Sequence, residues 1–184
     1  IIHPLNVAYI LTEIYADAKT IQAALLHDVV EDTDVTIEEI EEMFGSEVAL
    51  LVNGVTKINR LNFQGDNEAM IANHRKILVG LTEDVRVIII KLADRLHNMR
   101  TIWALPEKKQ KQKAKETLDI LTPIAHRLGI GSIKSELEDL SLRYLKSDMY
   151  KRIEERKLRL EESSNGCLKE MLYKIETLLN DKNI

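Results

Sequence analysis

The chain has 184 residues, 45% of them apolar but only 4% aromatic, and a formal net charge of −4. That length allows one domain of ordinary size with appended helices, on a core of Leu, Ile, Val and Ala. The acidic balance excludes a surface that coats nucleic acid. The lone Cys167 excludes an internal disulfide framework, and no apolar run reaches membrane-spanning length or reads as a signal peptide.

The pattern is helical from end to end, so an all-α fold is expected. Pro4 suits the first turn of a helix, and a helix is expected over 6–14. His3 then lies at or just before its N-terminus, where a lone histidine is more often a capping or surface residue. The next segment, ALLHDVVEDT at 24–33, carries more information. On one helix His27 and Glu31 are four apart, as are Asp28 and Asp32, so the four polar groups form two adjacent ridges. Three carboxylates at a helix C-terminus oppose its dipole, and a bound cation would reverse that penalty. The competing reading is an acidic helix end that is simply solvated.

Thr36 and Glu39 form a capping box opening a short helix that Gly45 ends. Ser46 can cap a helix over 47–55. Residues 57–67 read as a loop, followed by a helix over 68–79. Thr82 can cap a long helix over 83–105, interrupted by Pro106. Apolar residues cover nearly every face of that helix from Val87 to Leu96, the mark of a buried helix. Asp94 sits inside it. A buried carboxylate costs several kcal/mol unless it is paired or metal-bound; an ion pair to Arg or Lys is the alternative to a metal. Asn98 and Thr101 share its face.

A helix over 107–127 is expected, with a bend at Pro123 and a stop at Gly129, then an amphipathic helix over 135–145. From about Ser147 the character changes, and residues 151–162 are charged at nearly every position and read as a solvated helix. Ser163, Ser164, Asn165 and Gly166 read as a break. Leu168, Met171, Leu172, Ile175, Leu178 and Leu179 then form an apolar stripe. This stripe is expected on a separate helix that packs on 147–162. No phosphate-binding glycine loop of the GxxxxGK[ST] type and no internal repeat occurs.

Taken together, IIHP at 1–4, LLHDVVEDT at 25–33, VNGVTK at 52–57, NHRK at 73–76, VRVIIIKLADRLHNMRT at 85–101, AHRLGI at 125–130 and SELEDLSLRYL at 135–145 resemble the N-terminal hydrolase (HD) domain of the RelA/SpoT-homologue family. That family comprises bifunctional synthetase/hydrolases of the alarmone (p)ppGpp. The resemblance covers residues 1–146 and implies an HD-type phosphohydrolase fold there, with 147–184 a helical linker towards a synthetase domain not contained in the chain. It implies that His3, His27, Asp28 and Asp94 bind a metal, with Mn²⁺ the expected ion. It gives Glu31 and Asp32 the catalytic acid–base work and places Asn98 and Thr101 in the nucleotide pocket. Arg95, His97 and Arg100 belong to the same string without an assigned role. The family carries a basic motif upstream of its first histidine. This chain, starting two residues before His3, is expected to lack it.

The expected reaction is metal-dependent hydrolysis of (p)ppGpp to GDP or GTP and pyrophosphate, in the cytoplasm. The expected partners are that guanine nucleotide and the synthetase domain of the same parent chain. Direct nucleic-acid binding and membrane contact are not expected, and self-association is the other use for the apolar stripe. Two alternatives stay open: an HD phosphohydrolase acting on another nucleotide, and a catalytically silent regulatory module.

Overall fold

The computed structural model describes residues 2–59 and 84–181, with backbone alone at 162–169, 176, 180 and 181. Every regular element among them is helical. Two compact units result, Ile1–Tyr144 and Leu145–Ile184.

In the first unit, α1 spans Ile2–Glu13, α2 Ala18–Leu26, α3 Val29–Asp32, α4 Ile37–Phe44, α5 Ser46–Asn59 and α6 Val85–Arg100. Helix α6 is the centre. It packs on α1, α2 and α5, and α1 and α5 both pack on α2. The shared core is aliphatic: Val7, Ile10 and Leu11 from α1, Ala23 and Ala24 from α2, Val48, Leu51, Val52 and Val55 from α5, and Ile88, Ile90, Leu92, Ala93 and Leu96 from α6. Each Leu or Ile buried there contributes about 1.5–3 kcal/mol. Helices α5 and α6 approach closely at Gly54, where an added Cβ would lie 2.7 Å from Val87 Cγ2. A side chain at 54 would push α5 and α6 apart.

Several local signals are realised in detail. Thr36 Oγ1 accepts from the Glu39 N–H at 3.3 Å, and the Thr36 N–H donates back to Glu39 Oε2 at 2.8 Å. Gly45 ends α4 with φ +92°, a conformation other residues rarely adopt.

Other boundaries differ from expectation. Helix α1 begins at Ile2, so His3 lies inside its first turn. Pro4 is tolerated because the first N–H groups of a helix have no acceptor anyway. The His27–Asp28 segment is not on one continuous helix. Helix α2 ends at Leu26 with His27 as its C-cap, and α3 restarts at Val29. The two expected ridges therefore bend at the dipeptide. Glu31 and Asp32 fall in the first turn of α3, where acidic groups suit the dipole. Helix α5 continues through Asn59, taking in three residues expected to be loop. The expected helix over 68–79 and the Thr82 cap lie outside the described residues. Asp84 caps α6, accepting from the Arg86 N–H at 2.9 Å. Helix α6 also stops at Arg100, short of Pro106; a 3₁₀ turn, Ile102–Ala104, follows. The Thr101 side chain folds back, Oγ1 donating to the His97 carbonyl at 3.1 Å.

The segment expected as one helix over 107–127 is three pieces: α7 Glu107–Glu116, a π turn Thr117–Leu121, and α8 Thr122–Arg127. Pro123 has no N–H to offer the preceding turn, and the wider π turn sits immediately before it. Gly129 ends this stretch with φ +73°, and α9 spans Gly131–Leu145.

In the second unit, α10 is a single helix, Ser147–Asp181. This corrects the expected break at 163–166 and the separate, back-packed helix. A Gly costs about 1 kcal/mol in a helix interior and Ser or Asn less, while strong helix formers flank the four residues on both sides. Without a proline, continuing the helix is cheaper than ending it. Met171, Leu172, Ile175, Leu178 and Leu179 are exposed on it. Among the described residues no helix is long and apolar enough to cross a membrane.

Candidate metal centre and adjoining pocket

Three parts of the fold bring polar side chains to one point. Helix α1 supplies His3 from its first turn, the α2–α3 junction supplies His27 and Asp28, and α6 supplies Asp94. His27 Nε2 is 3.1 Å from Asp28 Oδ1 and 3.9 Å from Asp94 Oδ1. His3 Nε2 is 3.2 Å from Asp94 Oδ1 and 3.6 Å from Asp28 Oδ2. His3, His27 and Asp28 each offer one donor atom, all within 4.8 Å of one another. The four residues expected as ligands thus converge.

The donor set tests whether a cation fits. His27 is fully buried, and its Nδ1 lies 2.7 Å from the Ala24 carbonyl. Only a protonated Nδ1 can make that bond, so in the neutral ring Nε2 carries the lone pair. That Nε2 is a buried atom with no hydrogen-bond partner. An orphaned buried lone pair costs about 1–3 kcal/mol. Pointed at two carboxylates, it sits in the wrong company for a neutral acceptor and in the right company for a ligand. The residues fit a divalent ion held by mixed imidazole and carboxylate donors.

Asp94 is buried, and it answers both readings of the sequence. Lys91 Nζ donates to Oδ2 at 2.7 Å, and Asn98 Nδ2 donates to Oδ1 at 2.6 Å. Burial opposes its ionisation, but the Lys91 ammonium and the His3 imidazole outweigh burial and hold its carboxyl far below the usual carboxylate range. His3 is correspondingly pushed above its ordinary value, chiefly by its hydrogen bond to Asp94 and against the effect of burial.

Glu31 and Asp32 follow one turn after Asp28, their N–H groups bonded to its carbonyl at 3.0 and 2.9 Å. Both side chains are exposed. Glu31 Oε1 accepts from Asn59 Nδ2 at 2.8 Å, which fixes that carboxylate from the end of α5.

Asn98 and Thr101 line a pocket of about 360 Å³ beside the cluster. Lys91, Arg95 and Lys113 supply three cationic groups to its wall, and Met99, Ile102 and Leu105 supply apolar surface. This combination suits a flat, partly apolar ligand bearing phosphates. Arg95 is buried and tied to Glu116 at 2.6 Å and Thr117 at 3.4 Å, so its first task is to hold the π turn against α6. Burial, and then the Arg95 guanidinium, lower the Lys113 ammonium below its ordinary value. Arg100 makes a two-point ion pair with Glu136 on α9, at 2.6 and 2.8 Å.

Sequence reasoning did not assign Lys91, Asn59, Lys113 or His97. Lys91 had a signal: it stands at i−3 to a buried aspartate on the same helix. Asn59 and Lys113 had none, since their partners come from other elements. His97 Nδ1 lies 2.7 Å from His3 Nδ1.

A family model for the HD domain matches residues 1–131. The chain is 52% identical over 153 residues to a guanosine-3′,5′-bis(diphosphate) 3′-pyrophosphohydrolase of Aquifex aeolicus, covering 83% of this chain and 22% of that one. It is 47% identical over 175 residues to the bifunctional (p)ppGpp synthase/hydrolase SpoT of Escherichia coli, covering 95% of this chain and 24% of that one. The chain therefore spans about a quarter or less of the length of these curated relatives. A solved structure described as a metazoan ortholog of SpoT that hydrolyzes ppGpp superposes with a TM-score of 0.55 at 28% identity, over 77% of this chain and 78% of that one. HD domain hydrolases depend on divalent metal ions, a dependence that a lone pair buried between two carboxylates makes physically intelligible here. With the matched residues running from the first turn of α1 through the start of α9, the chain belongs to the HD domain family.

Proposed function

We propose that this chain is a metal-dependent phosphohydrolase that removes the 3′-diphosphate of (p)ppGpp as pyrophosphate, leaving GDP or GTP. The observation that carries this reading is the buried His27 Nε2, without a hydrogen-bond partner and aimed into a cluster of carboxylates beside a cation-walled pocket. The activities of the relatives support the choice of substrate.

His3, His27, Asp28 and Asp94 would hold the ion, and Mn²⁺ suits their mixed nitrogen and oxygen donors. When bound, the ion supplies Lewis acidity and offsets phosphate charge. The chain's own groups do the rest. Asn98 and Thr101 receive the nucleoside, and Lys91, Arg95 and Lys113 counter the charge of its phosphates. Glu31, oriented by Asn59, takes a proton from the attacking water, with Asp32 beside it. Water adds to the phosphorus attached to the ribose 3′-oxygen, and the bond between that phosphorus and that oxygen breaks. The oxygen keeps the electron pair and takes a proton, and pyrophosphate leaves. One water is consumed per turnover. A cytoplasmic setting for the reaction is part of the same proposal.

We read residues 1–146 as the hydrolase and 147–184 as a linker towards a synthetase domain of the parent chain. The exposed Met171, Leu172, Ile175, Leu178 and Leu179 support a covering partner for that helix, since about 1.5–3 kcal/mol is gained per such side chain buried. Incubating ppGpp with the chain and Mn²⁺ and separating the products tests the reaction. The reading requires GDP and pyrophosphate in equal amounts. Stepwise release of orthophosphate would point instead to a phosphohydrolase of another nucleotide, and no turnover to a regulatory module.

A further inference from the structure

We propose that His97 is the positioning residue for His3, its Nδ1 accepting the His3 Nδ1–H and so turning the His3 Nε2 lone pair into the metal centre. The inference rests on the metal reading above.

The two Nδ1 atoms lie 2.7 Å apart. Two ring nitrogens at that separation share one proton, because two N–H groups or two lone pairs face to face would repel. The rings are steeply inclined, at 63° with centroids 4.7 Å apart, so the contact is a directed edge and not a stack. Which ring donates follows from the other end of His3. Its Nε2 faces Asp94 Oδ1 at 3.2 Å and Asp28 Oδ2 at 3.6 Å. Were His97 the donor, a neutral His3 would carry its proton on Nε2 and could not ligate. With His3 as the donor, Nδ1 is protonated, Nε2 is free for a cation, and His97 keeps its own proton on Nε2.

The same device holds the second imidazole by a different route. His27 Nδ1 is anchored on the carbonyl of Ala24, three residues back on its own helix. His3 is held from another helix. Its acceptor comes from α6, three residues after Asp94. One helix thus delivers both a carboxylate to the cluster and the acceptor that aims a histidine at it. This gives the histidine of the LADRLHNMRT string a role outside the ligand set.

Metal-stripped protein titrated with Mn²⁺, the unbound ion followed by electron paramagnetic resonance, tests this. An Asn side chain can place its Oδ1 close to the position of a His Nδ1; a Leu cannot accept at all. His97→Leu should weaken Mn²⁺ binding by about 10–100-fold, whereas His97→Asn should stay within about threefold of wild type. Both variants should keep the wild-type thermal midpoint to within a few degrees. Long-range ¹H–¹⁵N spectra of the metal-free protein should place the proton of His97 on Nε2 and a proton on His3 Nδ1. Unchanged affinity in His97→Leu, equal loss in His97→Asn, or a protonated Nδ1 on His97 would each overturn the proposal. His27→Ala serves as the separate control. If it binds Mn²⁺ like wild type the metal reading fails, while the tautomer spectra still decide the hydrogen bond.

Discussion

His3 Nε2 lies 3.2 Å from Asp94 Oδ1, so the first turn of α1 meets the middle of the largely buried helix α6 at one point. Lys91 and Asn98 pair Asp94 on its own helix, but its contact with His3 has no such local reason. Asp94 interrupts an aliphatic helix, and His3 stands where a capping residue would serve. Their meeting accounts for both.

Asp94→Asn and Glu31→Gln should separate holding the metal from moving protons. Asp94→Asn removes a negative charge from the cluster and leaves Lys91 without its buried counterion. It should lose Mn²⁺ and also cost about 3–5 kcal/mol of stability, the usual effect of breaking a buried pair. Glu31→Gln changes an exposed side chain that can still bond Asn59. It should leave metal affinity and helix content intact and lower turnover by about 10²–10⁴-fold. Calorimetric titration with Mn²⁺ alongside steady-state kinetics reads both. Equal metal loss in the two variants would make Glu31 a ligand.

Much of this centre could be read from residue order, and the limits of that reading are physical. Asp94 declared itself because burial of an unpaired carboxylate is expensive, and His27–Asp28 because acidic groups crowded a helix end. What stayed hidden depends on approach between distant elements. The bend at His27–Asp28 has no Gly or Pro to announce it. His97 looks like a cation suited to the last turn of α6, and nothing local reveals that His3 arrives beside it. The apolar stripe of α10 was legible as a pattern, but the Ser163–Gly166 run overstated a break that flanking helix formers carry through.

Gly54→Ala should destabilise the first unit by about 1–3 kcal/mol, the cost of overpacking a tight contact. Its Cβ would sit 2.7 Å from Val87, a stiff β-branched side chain. Gly131→Ala is the control. Its Cβ would meet nothing within 4 Å, and it should be neutral or stabilise by up to about 1 kcal/mol. Chemical denaturation of both variants checks the contrast. Equal effects would mean that α5 and α6 do not approach as closely as described.

Asp84 makes a pH prediction away from the centre. Its carboxylate accepts from Arg86 Nε and a guanidinium N–H at 2.7–3.1 Å, which holds it below its ordinary value of 3.8 against a smaller opposing effect of burial. A carboxyl depressed in the folded state adds stability that is present above its unfolded value and lost as pH falls through the folded one. Asp84→Asn can still cap α6 but cannot titrate. Between pH 3.8 and the lower folded value, its stability should therefore fall less steeply with acid than that of wild type. Denaturation midpoints measured across that window check this. Identical slopes would mean that the Arg86 contact does not form in solution.

The central claim is that His3, His27, Asp28 and Asp94 together hold one divalent ion. Anomalous diffraction at the manganese edge, from crystals grown with Mn²⁺, tests it most directly. The account predicts a single strong peak in the first unit, about 2.0–2.3 Å from both histidine Nε2 atoms and from one oxygen of each aspartate. A peak elsewhere, or an empty cluster at saturating Mn²⁺ with Lys91 still bonded to Asp94, would contradict it.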